Sequence, residues 1–171
     1  MRKLLVLGAL CGTVVTAASA APITPFSIYG GYFRGGSFND QLGNRVHMSG
    51  FEVGLQQSLV SLPILGAVDL GVSVVFSGTD GGGVHGNLYR VYANYKTPAA
   101  PGTSVYGIAG FAYSYANGSS FSTESGLGTE FGIGFPLKLG LPGAPGAAIE
   151  ARYRQGRAAA TGFSIGLNVS F

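Results

Sequence analysis

The stretch FSIGLNVSF, residues 163–171, puts Phe163, Ile165, Leu167, Val169 and Phe171 on one side of an extended chain and Ser164, Gly166, Asn168 and Ser170 on the other. Side chains alternate across a strand, so the segment predicts a β-strand with one apolar face and one polar or small face. Residues 68–76 repeat the pattern, with Val68, Leu70, Val72, Val74 and Phe76 against Asp69, Gly71 and Ser73. Working outward, the same period of two predicts strands near 24–34, 46–58, 67–77, 87–97, 103–115, 124–136, 147–156 and 162–171. No convincing helical period interrupts them. The segment SVYGIAGFAYSY, residues 104–115, is apolar on both faces, and its register is not fixed by pattern.

The connections alternate in chemistry. SLPILG, TPAAPG and LGLPGAPG contain proline, whereas GGSFNDQLGN, GTDGGGVHG, ANGSSFST and RQGRAAAT contain none. In an up-and-down meander successive hairpins lie at opposite ends, so the alternation predicts two chemically different ends.

The amino end sets the expected compartment. Met1, Arg2 and Lys3 form a basic region, Leu4 to Val15 an uncharged apolar stretch, and Ala18-Ser19-Ala20 a small-residue cleavage site before Ala21. Residues 1–20 therefore read as a signal peptide and 21–171 as one barrel domain. Cys11 lacks the flanking residues of a lipoprotein site and reads as part of the leader. No later segment offers the roughly 18 uninterrupted apolar residues of a spanning helix. With an exported amino terminus, the proline turns are expected on the periplasmic side and the Gly/Ser/Asn loops outside.

Without the leader the chain has no cysteine, which excludes disulfides and thiolate metal sites. Arg2 and Lys3 leave with it, so the mature net charge is +1 and nucleic-acid binding has no electrostatic basis. Few charges, 30 glycines and many Tyr and Phe are unusual for a soluble domain of this length.

The charges favour lipid over water. Glu52, Asp69, Arg90, Glu130, Glu150, Arg152 and Arg154 all fall on the face opposite the apolar residues of their strands. In lipid the apolar face must be outside and the charges inside. Gly126, Gly128, Gly132 and Gly134 around Glu130 would make room for long side chains opposite. Phe26, Tyr95, Phe135 and Phe171 are expected in a lower aromatic girdle, and Tyr32, Phe76, Tyr89 and Tyr115 in an upper one. The fold class is thus all-β, an eight-stranded antiparallel up-and-down transmembrane β-barrel. Its interior is expected to be a closed ionic network of Glu52, Asp69, Arg90, Lys96, Glu130, Glu150, Arg152 and Arg154. Glu130 with Arg152 is the preferred pair.

The final residues also resemble the carboxy-terminal assembly signal of outer-membrane barrels: polar Ser164, then Gly166, hydrophobic Val169 and terminal aromatic Phe171. In length and strand count the mature chain is similar to small barrels of the OmpX kind and to the OmpA membrane domain. That resemblance implies an outer-membrane location, insertion by the outer-membrane assembly machinery and contact with outer-membrane lipids. It does not imply one activity, because small barrels serve as anchors, adhesins, enzymes and narrow porin-like channels. The expected outer loops are short for an adhesin. A monomer with a structural or interaction role is expected.

Other chemistries are weakly represented. His47-Met48-Ser49 has the His-x-Ser spacing that resembles outer-membrane lipid A deacylases. Gly50 stands where those enzymes have Asn, and no outward carboxylate on the neighbouring strands would orient His47. An enzyme is therefore not expected, although a lipid A esterase and a narrow channel stay as alternatives. GTDGGG precedes a strand rather than a helix and so lacks a helix terminus to hold phosphate. Asp80 and His85 are two ligands in a loop, too few for a tight metal site. No cofactor is expected.

Overall fold

The computed structural model describes residues 26–39, 44–62, 64–77, 85–99, 102–118, 122–137 and 146–171. The leader, Cys11, the cleavage site and Asp80 lie outside the described residues. Eight strands run in chain order: β1 Phe26–Asn39, β2 Arg45–Leu62, β3 Gly66–Ser77, β4 Gly86–Lys96, β5 Tyr106–Gly118, β6 Glu124–Leu137, β7 Gly146–Gln155 and β8 Gly162–Ser170. Each pairs antiparallel with its sequence neighbour, and β8 pairs with β1 from Ser27↔Ser170 to Gly35↔Gly162. The sheet is a closed barrel. Closure removes the sheet edge, so the backbone ladder is satisfied all the way round.

Period two decides what faces where. Phe51 is 71% exposed and its neighbour Glu52 is 0% exposed. Val53 and Leu55 continue the exposed apolar exterior on β2, and Phe111, Leu127, Phe131, Ile133, Tyr153, Phe163, Ile165 and Leu167 on β5 to β8. Girdle residues Phe26, Tyr95, Phe135 and Phe171 at one end, and Tyr32 and Phe76 at the other, are exposed on it. Tyr32 meets Phe51 edge-on at 6.5 Å, and Tyr89 lies 6.3 Å from Tyr115.

The structure corrects three details. β1 and β2 run beyond the expected 34 and 58, each through a register irregularity, between Arg34 and Ser37 in β1 and between Ser58 and Val60 in β2. An extra residue in a ladder breaks the period of two, which is why alternation stops there while pairing does not. β5 is shifted to Tyr106–Gly118, with Ile108, Ala112, Ser114 and Ala116 buried and Phe111 and Tyr113 exposed. The loop RQGRAAAT, read as irregular, contains a one-turn 3-10 helix, η1, at Ala158–Ala160.

Candidate functional site

Strand parity aims long polar side chains into the lumen, and an eight-stranded barrel is only wide enough for side chains to fill it. Glu52, Arg90, Glu130, Glu150, Arg152 and Arg154 are each buried to 2% exposure or less. Glu130 is the hub. It accepts hydrogen bonds from Arg90 Nη2 at 2.5 Å, Arg154 Nε at 2.9 Å, Arg152 Nη1 at 3.1 Å and Asn94 Nδ2 at 2.8 Å. Glu52 accepts from Arg154 Nη2 on both oxygens at 2.7 Å and from Arg90 Nη1 at 3.4 Å. Towards the end that holds Phe26 and Phe171, Arg152 pairs with Glu150. Lys96 Nζ bridges Glu150 and Asp69 there, at 3.0 Å each. Four carboxylates thus face four cations, and Arg152 joins the two halves of the network.

Neutral polar groups fill the gaps. Tyr106 donates to Glu150 at 2.7 Å, Asn168 Nδ2 donates to Glu150 at 3.0 Å, and Ser58 donates to Asp69 at 2.5 Å. The Arg152 guanidinium lies 4.5 Å from the Tyr29 ring centre and 5.6 Å from that of Tyr92. Arg154 lies 5.2 Å over Phe33. Such stacking suits the weakly hydrated, planar guanidinium and favours Arg over Lys in a dry tube. Tyr29, Gln56, Tyr92 and Asn94 sit on the polar face of strands whose alternation is readable, whereas Tyr106 lies in the segment whose register is not fixed by pattern.

Glu130 and Arg152 do touch, but not as an isolated pair. Glu130 stands opposite Arg154 in the β6–β7 ladder, and Arg152 reaches it from beside Gly132. Asn94 and Glu130 flank Gly110 of β5, whose missing side chain lets the two meet across an intervening strand.

Above this layer the lumen turns apolar. Phe33, Met48, Val75, Leu88 and Ala116, one from each of β1 to β5, are buried together with Ala159 and Ala160 of η1. Charge does not mark this layer, since its side chains are apolar residues on the inner parity.

The other candidates are not brought together. Ser49 shares the outward parity of Phe51 but is buried, and its hydroxyl has no hydrogen-bond partner, His47 included. An imidazole that does not bind the hydroxyl cannot activate it. His85 is exposed. Among the described residues no group of three His, Cys, Asp or Glu is placed to hold a metal ion. Ser164 is buried and accepts a 3.3 Å hydrogen bond from Tyr29, while Val169, on the outer parity, pairs with Ile28 of β1. The Phe171 amide donates to the Phe26 carbonyl at 2.8 Å, and its ring is exposed.

No protein-family model matches the chain, and no curated protein matches it in sequence. Solved structures do. Ail, the attachment invasion locus protein of Yersinia pestis, crystallised with the heparin analogue sucrose octasulfate, is similar at TM-score 0.50 and 18% identity. That match covers 86% of this chain and 99% of Ail. Neisserial surface protein A is similar at TM-score 0.51 and 15% identity, covering 85% of this chain and 97% of that one. The fold of this chain is the closed eight-stranded antiparallel barrel of these small outer-membrane proteins.

Proposed function

We propose that the mature chain, residues 21–171, is a monomeric outer-membrane barrel with a structural or interaction role and a lumen that does not conduct. The observation that carries this reading is the combination of an apolar exterior with buried carboxylates and cations in mutual contact. An exterior so rich in exposed Phe, Leu and Ile is unstable against water and matched by lipid tails. A buried charge without a partner would be poorly solvated, whereas paired charges let a narrow tube stay closed. Residues 1–20 act as the export signal, outer-membrane lipids surround the belt, and the assembly machinery reads the last strand through Ser164, Gly166, Val169 and Phe171.

Cell fractionation with heat-modifiable gel migration tests the address. The mature chain is expected in the outer-membrane fraction, with a folded band that shifts on boiling. A chain that stays soluble in the periplasm without detergent overturns the reading. In planar bilayers the purified barrel is expected to show no steady single-channel conductance, and stable openings would favour the narrow channel instead.

The assembly role of Phe171 makes a separate prediction. Phe171→Ala is expected to lower the amount of folded barrel in outer-membrane fractions several-fold while leaving export intact, since the leader is untouched. Equal amounts of folded wild-type and variant barrel would count against that role.

A further inference from the structure

The η1 turn crosses the lumen. It belongs to the β7–β8 connection yet packs against both β1 and β5, and in a ring of eight those two strands stand diametrically opposite. Ala159 is 0% exposed and Ala160 6%, against Phe33, Met48, Val75, Leu88 and Ala116.

The seat for this turn is asymmetric. β1 to β5 each contribute one apolar side chain to the layer, whereas on the other side of the ring Gly128 of β6 lies by Gly156 of the connection and Gly126 of β6 by Arg157. A Cβ on Gly156 would meet that of Ala160 at 3.4 Å, with the Gly128 Cα close by at 3.9 Å, and a Cβ on Gly126 would meet the Arg157 side chain at 3.2 Å.

The turn is held lightly. Its internal bonds are local: Ala160 N donates to Arg157 O at 2.8 Å, and the Thr161 hydroxyl donates to Gly156 O at 2.8 Å. Among the described residues two bonds tie it to the wall, Ala159 N to the Glu124 carboxylate at 3.3 Å and Gly36 N to Thr161 O at 2.7 Å. Two small methyl groups in a socket bury little apolar area compared with a Leu or Phe, so such an element opens more readily than the strands around it.

The two ends of the lumen therefore differ. At the end holding Phe26 and Phe171 the network reaches a partly exposed ammonium, Lys96, at 16% side-chain exposure, while the Arg90 and Arg154 side chains beneath the apolar layer are at 1% and 2%. We infer that η1 is a displaceable stopper: seated, it keeps water from the charged layer at the loop end of the barrel, and withdrawn, it opens that layer to solvent. The inference needs only the closed barrel and is independent of where the barrel resides.

The mature chain has no cysteine, which allows a direct test by thiol labelling on the folded barrel in detergent micelles. Ser73 faces the lumen one inward position from Val75, is buried, and its hydroxyl has no hydrogen-bond partner. Ser73→Cys therefore reports on solvent just below the stopper. A cationic methanethiosulfonate reagent is expected to label it slowly in the otherwise wild-type barrel. Labelling should rise by about tenfold or more when Ala159→Asp puts a charge into the apolar seat. Heat-modifiable migration checks that the variant is folded. Should it not fold, Glu124→Gln weakens one tether without touching the seat and is expected to raise the rate several-fold. Unchanged labelling in the folded Ala159→Asp barrel, or in Glu124→Gln where that variant alone folds, overturns the inference. So does a rate that rises only with Lys96→Ala at the opposite end.

Discussion

Glu130→Ala is expected to destabilise the folded barrel by about 3 to 5 kcal/mol, the cost of leaving buried charge uncompensated when one partner of a dry ion pair is removed. Glu130 takes hydrogen bonds from three guanidinium groups. Without it, Arg90 and Arg154 share Glu52 alone, and Arg152 keeps only Glu150 as a carboxylate partner. Two negative charges would then face three buried guanidinium groups. Glu130→Gln keeps the shape and part of the hydrogen bonding while removing the charge, so its loss should be smaller than that of Glu130→Ala. Arg152→Met alone takes one cation from both Glu130 and Glu150, leaving Glu150 with Lys96, and should also weaken the barrel, but Glu130→Ala with Arg152→Met should cost less than the two separate losses, because each change relieves the imbalance left by the other. The measurement is the urea midpoint of the folded gel band in phospholipid vesicles, with the slope checked for constancy. Additive losses would mean that water screens the charges and that the lumen is a wet pore.

The barrel was legible because one rule, alternation, governs every strand. In residues 163–171 the rule is obeyed without exception, in 68–76 Val75 alone departs from it, and those segments became β8 and most of β3. It failed where the chain breaks its own period. At Gly35-Gly36 and near Leu59 the ladder continues through an irregularity, so β1 and β2 gained length that no pattern of two could show. β5 was ambiguous for another reason: Ala109, Gly110 and Ala112 fit either face, and only pairing with β4 and β6 decides that Phe111 goes out and Ile108 in.

The charged lumen was half legible. Parity identified which charges turn inward, since the apolar side chains of the same strands face outward. It could not say which cation meets which carboxylate. Arg90 reaches Glu130 from two strands away because β5 carries Gly110 and Ala112 on its inner face there, and contacts that skip a strand leave no trace in local sequence. The apolar layer was hidden differently. Met48, Val75 and Leu88 look like ordinary barrel residues until their parity is compared with that of Glu52, Asp69 and Arg90 on the same strands, and Phe33 has no inward charge on β1 to compare with. RAAAT has no period at all, so nothing local marks it as a turn that folds inward.

Gly71→Ala gives the sharpest test of how tightly the lumen is packed. Gly71 stands between Gln56 of β2 and Tyr92 of β4 in the ladder, and a methyl group at position 71 would fall on the Tyr92 ring and hydroxyl. Tyr92 has little room to retreat, with the Arg90 and Arg152 guanidinium groups at 5.4 and 5.6 Å from its ring centre and its hydroxyl donating to Gln56 at 3.4 Å. Overpacking of this kind costs about 1 to 3 kcal/mol. Removing the ring with Tyr92→Ala should itself cost about 3 to 5 kcal/mol by opening a cavity in the network. In that background the added methyl has nothing to strike, and Ala is favoured over Gly in a strand because it loses less backbone entropy on folding. Gly71→Ala is therefore expected to be harmful in the wild-type barrel and neutral or slightly stabilising beside Tyr92→Ala, a coupling as large as the cost of the single change. Urea midpoints of the four barrels measure it, and a Gly71→Ala barrel as stable as wild type would show that the Tyr92 ring is free to move and the lumen loosely filled.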